Sequence, residues 1–185
     1  MQDPRRLQPG FRDAVLADAQ VAAYYRFERT EFGSGLDAAL QVVRLMWRSD
    51  AFLAQTLYRA KARLQARGIP LLPRLAHRLA MALGQVSIGD TVVLQPGVYL
   101  IHGQVVIDGF VDIGRHVVIG PFVTIGLRGG ELRGPTIGPN VTIGAGAKIL
   151  GNVSVGAWSQ VGANAVVIED VPEGTTVVGV PARAC

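Results

Sequence analysis

One cysteine, three histidines and a charged fraction of 17% leave this chain with few reactive side chains. The cysteine is Cys185, the last residue of the sequence, so no intrachain disulfide can form and cysteine usage gives no sign of secretion. Long apolar runs are missing as well. No stretch reaches the roughly 18 residues that cross a bilayer, and the opening MQDPRRLQPG lacks the apolar centre of a signal peptide. A cytoplasmic protein without a membrane span is expected. Charge too sparse for a disordered polyelectrolyte, combined with 23 glycines, points instead to an ordered fold punctuated by turns.

The net charge of +4 is shared unevenly. Residues 1–84 hold 13 Lys/Arg against 7 Asp/Glu, a balance of +6, whereas residues 85–185 hold 5 against 7, a balance of −2. The arginines of the first part are dispersed along helical segments with no aromatic platform between them. They read as a solvated face, and no nucleic-acid partner is expected.

What the chain has in abundance is a period of six. Ile107, Ile113, Ile119, Ile125, Ile137, Ile143, Ile149, Val155, Val161 and Val167 keep one phase, and Gly follows many of them directly. A second small or aliphatic residue sits two positions earlier, as at Val105, Val111, Val117, Val123, Val141, Ala147, Val153 and Ala165. Six fits neither an amphipathic helix nor a long alternating strand. It fits short flat strands joined by tight turns, three strands to a triangular coil, with the coils stacked so that each buries its inward side chains against its neighbours. The fold expected is mainly β: a left-handed parallel β-helix of hexapeptide repeats over 85–185, preceded by an α-helical N-terminal domain over 1–84.

In that N-terminal part, residues 1–10 read as an irregular arm. Helices are expected over Phe11–Arg29, Asp37–Arg48, Asp50–Arg67 with Ser49 as N-cap, and Pro73–Leu83. Leu53, Leu57, Ala60 and Leu64 mark one face of the third helix, and Leu75, Leu79 and Leu83 mark one face of the fourth. Tyr24, Tyr25, Trp47 and Phe52 read as packing residues between helices or subunits, and His77 as structural.

Regular coils offer little chemistry, so their faults are the candidates. The step from Leu100 to Ile107 is seven residues, and the slip falls at Tyr99-Leu100-Ile101-His102-Gly103. The second fault is a loop over 127–135, Leu127-Arg128-Gly129-Gly130-Glu131-Leu132-Arg133-Gly134-Pro135, which leaves the coil and returns in phase. His116 lies in an ordinary turn. Trp158 is unusual for a solvent-facing turn and is expected against a neighbouring subunit or an adenine ring.

The repeat, together with Gly144-Ala145-Gly146-Ala147-Lys148-Ile149-Leu150-Gly151-Asn152 and the ending Gly179-Val180-Pro181-Ala182-Arg183, resembles the hexapeptide acyltransferases and, among them, the serine O-acetyltransferases. The resemblance runs from about Tyr24 to the C-terminus. It implies a homotrimer, with pairing of trimers through the helical domains in some members, and active sites between neighbouring β-helices with acetyl-CoA in the groove. It places His102 as catalytic base, Arg133 and Glu31 as substrate-binding residues, and Ala145, Lys148, Ala163 and Arg183 as contacts for acetyl-CoA. No metal is expected.

The chain also departs from the family pattern. Ile101 stands where the family has an aspartate before its catalytic histidine, and Arg133-Gly134-Pro135 stands where the family has Arg-His-Pro. Glu31, in Arg29-Thr30-Glu31, is an imperfect substitute for the acid of an Arg-Asp-Pro segment. The chain stops two residues after Arg183, so the tail through which serine acetyltransferases dock into cysteine synthase is not expected. The leading reading is an acetyl-CoA-dependent O-acetyltransferase acting on a small hydroxylated acceptor other than ordinary free serine. Serine itself and a sugar or polysaccharide hydroxyl are the alternatives, followed by a non-catalytic β-helix scaffold. A γ-type carbonic anhydrase needs three histidines around zinc between subunits, and only His102 and His116 lie in the coils.

Overall fold

Three faces of a prism follow directly from the period of six. In the computed structural model, which describes residues 7–131 and 133–185, the ten in-phase aliphatics from Ile107 to Val167 point inward and are almost fully buried, the phase skipping Glu131 in the loop. The partners two positions earlier complete the same column. Burying each aliphatic side chain is worth about 1.5–3 kcal/mol, so the column is the main source of cohesion. The first six residues of the expected arm, and Leu132 of the loop, lie outside the described residues.

The strands are short and stack in parallel register. Sheet A holds β1 (Val86–Ile88), β4 (Val105–Ile107), β7 (Thr124–Gly126), β10 (Lys148–Leu150) and β13 (Val166–Val167). Sheet B holds β2 (Val93–Leu94), β5 (Phe110–Ile113), β8 (Arg133–Ile137) and β11 (Ser154–Val155). Sheet C holds β3 (Tyr99–Leu100), β6 (Val118–Ile119), β9 (Thr142–Ile143), β12 (Gln160–Val161) and β14 (Thr176–Val178), closed by the antiparallel β15 (Arg183–Ala184). The chain passes from A to B to C and back to A, so the prism has three edges. The loop and His102 belong to different ones.

Four helices cap the first coil: α1 (Phe11–Tyr25), α2 (Gly35–Arg48), α3 (Asp50–Ala66) and α4 (Leu72–Gly84). Ser49 caps α3 as expected, its hydroxyl accepting the Phe52 N–H. The first helix ends at Tyr25, four residues before the expected boundary, where Phe27 turns left-handed. The stripe of α3 is half-buried, with Leu57 packed against the core, whereas the leucine stripe of α4 lies on the opposite side from the tight packing. Ala51, Ala54, Tyr58 and Ala62 of α3 and Ala76, Ala80 and Gly84 of α4 are buried, while Leu75, Leu79 and Leu83 stay exposed. Close approach selects small residues: a Cβ on Gly84 would lie 2.6 Å from both Ala54 Cβ and the Asp50 carbonyl.

Polar side chains of α3 lock the helices onto the first coil. Arg59 donates to both oxygens of Asp18, at 3.0 and 3.2 Å, and to the carbonyls of Leu94 and Gln95. Asp18 in turn accepts the Gly97 N–H at 2.8 Å, and Gln55 Nε2 donates to the Val98 carbonyl at 2.9 Å. Each satisfies an edge group of a coil that has no preceding coil to pair with. Burial pushes the Asp18 pKa up, and Arg59 opposes it.

Candidate active site

His102 sits on the edge where sheet C turns into sheet A. Its turn is one residue longer than a regular corner, and Gln104 closes it in the left-handed region, with φ 63°. The Gln104 N–H donates to the Gln85 carbonyl at the end of α4. Gly103 lies directly under the Gly84 carbonyl, with no room for a Cβ. The helix end and the first corner are thereby pressed together, and the imidazole is held outward at the mouth of a cleft of about 270 Å³.

That cleft is lined by His102, Gly103, Gln104, Leu83, Gly84, Gln85 and Asp50. Its carboxylate therefore comes from the first turn of α3, whereas the neighbouring Ile101 is apolar and 39% exposed. The C-terminal carbonyl end of α4 adds a partial negative charge. Among the described residues the His102 side chain makes no hydrogen bond within the chain, so both ring nitrogens are open to a ligand. Nothing in the sequence pattern marks Asp50, Gln85 or Gln104. Ser49-Asp50 reads there as a helix start, which it is, and nothing in the pattern says that this helix start faces the first corner.

Ala145 and Ala163 lie two and three corners further along the same edge. Both are exposed, and among the described residues neither backbone N–H has a partner within the chain. The glycines beneath them explain the stacking: a Cβ on Gly120 would lie 2.7 Å from the Ala145 nitrogen, and one on Gly144 would lie 2.6 Å from the Ala163 nitrogen. Lys148 opens the strand after this edge. Its Nζ donates to the carbonyls of Phe122 and Gly146, at 2.8 and 2.9 Å, which ties two corners together and leaves one hydrogen for a ligand. Arg183 is paired with Glu169 at 3.1 Å, both largely exposed. This edge can therefore hold an acyl-CoA through backbone donors, a tethered ammonium and an exchangeable guanidinium.

Arg133 and Glu31 lie elsewhere. Arg133 begins β8 on the edge between sheets A and B, paired with Phe110 just before the register shifts at a bulge. The loop ahead of it is anchored to the next coil, since Glu131 accepts the Asn152 N–H at 2.6 Å. Gly134 is buried within β8 of sheet B, and a Cβ there would lie 2.7 Å from Val111 Cγ2, so a histidine has no room on this backbone. Glu31 is exposed in the connection between α1 and α2. Within one chain neither residue lines the His102 cleft; sheet A separates His102 from Arg133.

Comparison with known proteins matches this architecture. The family model for the bacterial transferase hexapeptide (six repeats) matches residues 134–169. The structure of soybean serine acetyltransferase is 32% identical, with a TM-score of 0.80, covering 97% of this chain and 71% of that one. Serine acetyltransferase from Neisseria gonorrhoeae in complex with serine is 30% identical, with a TM-score of 0.77 and coverage of 95% and 69%. A serine acetyltransferase in complex with CoA is 28% identical, with a TM-score of 0.78 and coverage of 98% and 72%. Comparison with curated proteins returns no match.

Proposed function

The chain belongs to the serine acetyltransferase family, and from that premise we propose that it is an acetyl-CoA-dependent O-acetyltransferase whose acceptor is a small hydroxylated molecule other than ordinary free serine. One observation carries the reading: His102, open on both ring nitrogens, shares a prism edge with the unpaired N–H groups of Ala145 and Ala163. The donor, when bound, supplies the acetyl group as a thioester. His102 takes the proton from the acceptor hydroxyl as that oxygen attacks the carbonyl, and returns it to the departing thiol. A backbone N–H on the same edge faces the charge that develops on the carbonyl oxygen.

The altered acceptor follows from the site's departures. An ammonium taken out of water without a carboxylate partner costs several kcal/mol, and Ile101 supplies none. Arg133 retains the charge that grips an anionic acceptor group. It reaches a His102 only if a second copy brings its loop edge beside the His102 edge, and the arrangement we propose is therefore a homotrimer with its sites between subunits. A masked or carrier-tethered serine fits this set of groups, as does a hydroxy acid. The test is thiol release from acetyl-CoA across hydroxy acids, amino acids and sugars. Free serine as the best acceptor would overturn the altered specificity, and full turnover by His102→Ala would overturn the mechanism.

A second reading, free serine, is favoured by Asp50. This carboxylate lines the His102 cleft from the helical side and offers an ammonium the partner that Ile101 does not.

A further inference from the structure

Sheet C has another edge, turned away from His102, and a groove of about 610 Å³ runs between that edge and α1. One wall is a column of three residues that hold the same turn position in successive coils: His116, Asn140 and Trp158, with φ of 56°, 59° and 61°. The position demands a left-handed backbone. Gly97 and Gly174 fill it in the flanking coils, as turn chemistry favours, and asparagine tolerates it. A tryptophan there is strained, and burial does not compensate, because the residue is 63% exposed. The turn itself needs only backbone: the Trp158 N–H donates to Pro139 and the Asn140 N–H to Arg115, at 3.0 and 2.8 Å. The side chains of this column are therefore surplus to the coil and free to face the groove.

The opposite wall is α1. Tyr24 is 68% exposed and stands edge-on to Tyr25, at 5.4 Å and 86°. Tyr25 is fixed by stacking on Tyr99, at 4.6 Å and 2°. The aromatic lip is thus held from behind, facing a second aromatic on the coil. Between the two, Gln20, Asn140 and Gln160 line the groove with amides that make no side-chain hydrogen bond among the described residues. Among the described residues no lysine, arginine, aspartate or glutamate lines it.

We propose that this groove binds a neutral saccharide chain. Exposed, rigid ring faces suit the C–H faces of pyranose rings, and unpaired amides match neighbouring hydroxyls, each donor and acceptor at once. A nucleotide or an acidic peptide would require cations that the groove lacks, and an acyl chain would strand the amides unbonded. The inference goes beyond the transfer reaction and does not rest on it, since the groove and His102 occupy opposite edges of sheet C.

The test uses Trp158 as its own reporter. A Trp47→Phe variant removes the only other tryptophan, which is 90% exposed on α2. Its fluorescence is titrated with maltohexaose, cellohexaose and chitohexaose, and with a hexagalacturonate as charged counterpart. A saturable change with at least one neutral chain, and none with the hexagalacturonate, is expected. Trp158→Asn keeps a residue suited to the left-handed turn and should weaken that binding about tenfold or more by calorimetry. His102→Ala should leave it intact. The proposal is overturned by three silent neutral chains up to on the order of 10 mM, by equal binding of the charged chain, or by unchanged affinity in both Trp158→Asn and Tyr24→Ala.

Discussion

His102 and Asp50 share a cleft but arrive by different routes, and they can be separated by what they touch. An imidazole that removes the acceptor proton contributes about 10²–10⁴ in rate. His102→Ala should therefore lower kcat by that range with little change in KM, measured as thiol release from acetyl-CoA. On the free-serine reading, Asp50 pairs with the acceptor's ammonium and not with its hydroxyl. Asp50→Asn should raise KM for amino-acid acceptors while leaving hydroxy acids unaffected, in parallel titrations of the two classes; equal effects on both would remove Asp50 from acceptor recognition. His102 stands out in the sequence because it breaks a strict period and Ala145 because it falls in the run Gly144–Asn152, whereas Ala163 is reached only through the family resemblance. Asp50 was not legible. A serine and an aspartate at a helix start satisfy local capping rules completely, so no residue-level anomaly marks the position. Gly134 is the converse case: its departure from the family pattern was visible, but the reason is the contact with Val111 on the coil below.

At the scale of elements, the helices are attached by buried polar groups more than by their leucines. Arg59 and Asp18 are each 2% exposed at the side chain, and removing one leaves the other as an unpaired buried charge. Arg59→Leu should cost about 3–5 kcal/mol in denaturant unfolding, while replacing both residues with apolar ones should cost far less. The connection between α1 and α2 is held by exposed and half-exposed carboxylates. Burial works to raise the Glu28 pKa, yet bonds from Gln41 and Arg26 and the charge of Arg48 hold it below its ordinary value. The Gly33 N–H and then Arg29 do the same for Asp37. A carboxylate whose folded pKa is depressed contributes stability above its unfolded pKa and loses it as pH falls through the folded one. The thermal midpoint should therefore drop as pH is lowered through the carboxylate range, and Glu28→Gln combined with Asp37→Asn should flatten that drop. Helix positions were largely legible, because caps and breakers act locally. The facing of α4 was not, since leucine stripes normally mark the core side. Here the closest helix–helix and helix–coil contacts select alanine and glycine, and Leu75, Leu79 and Leu83 of α4 lie outward.

At the scale of the whole molecule, the period of six makes a rigid prism and fixes which residues share an edge. The three sheets and the order in which the chain visits them follow from the repeat alone, and so does the stacking of Ala145 and Ala163 above the turn of His102. How copies assemble is absent from that pattern, because a period describes one chain's interior. The edges still constrain it. His102 and Arg133 flank sheet A of the same chain, so an interface that pairs the His102 edge of one copy with the loop edge of the next completes a site from two subunits. Co-expression of His102→Ala with Arg133→Ala then has a definite outcome. Each variant alone should be nearly inactive toward an anionic acceptor. In mixed trimers, random assembly gives a site that draws His102 from one kind of subunit and Arg133 from the other in about one case in four. Co-expressed protein should recover about a quarter of wild-type activity, and simple mixing of the separately purified variants should recover it only after dissociation and reassembly. If the co-expressed variants stay as inactive as either alone, Arg133 and His102 do not act in a shared site, and the grip on an anionic acceptor has to come from elsewhere.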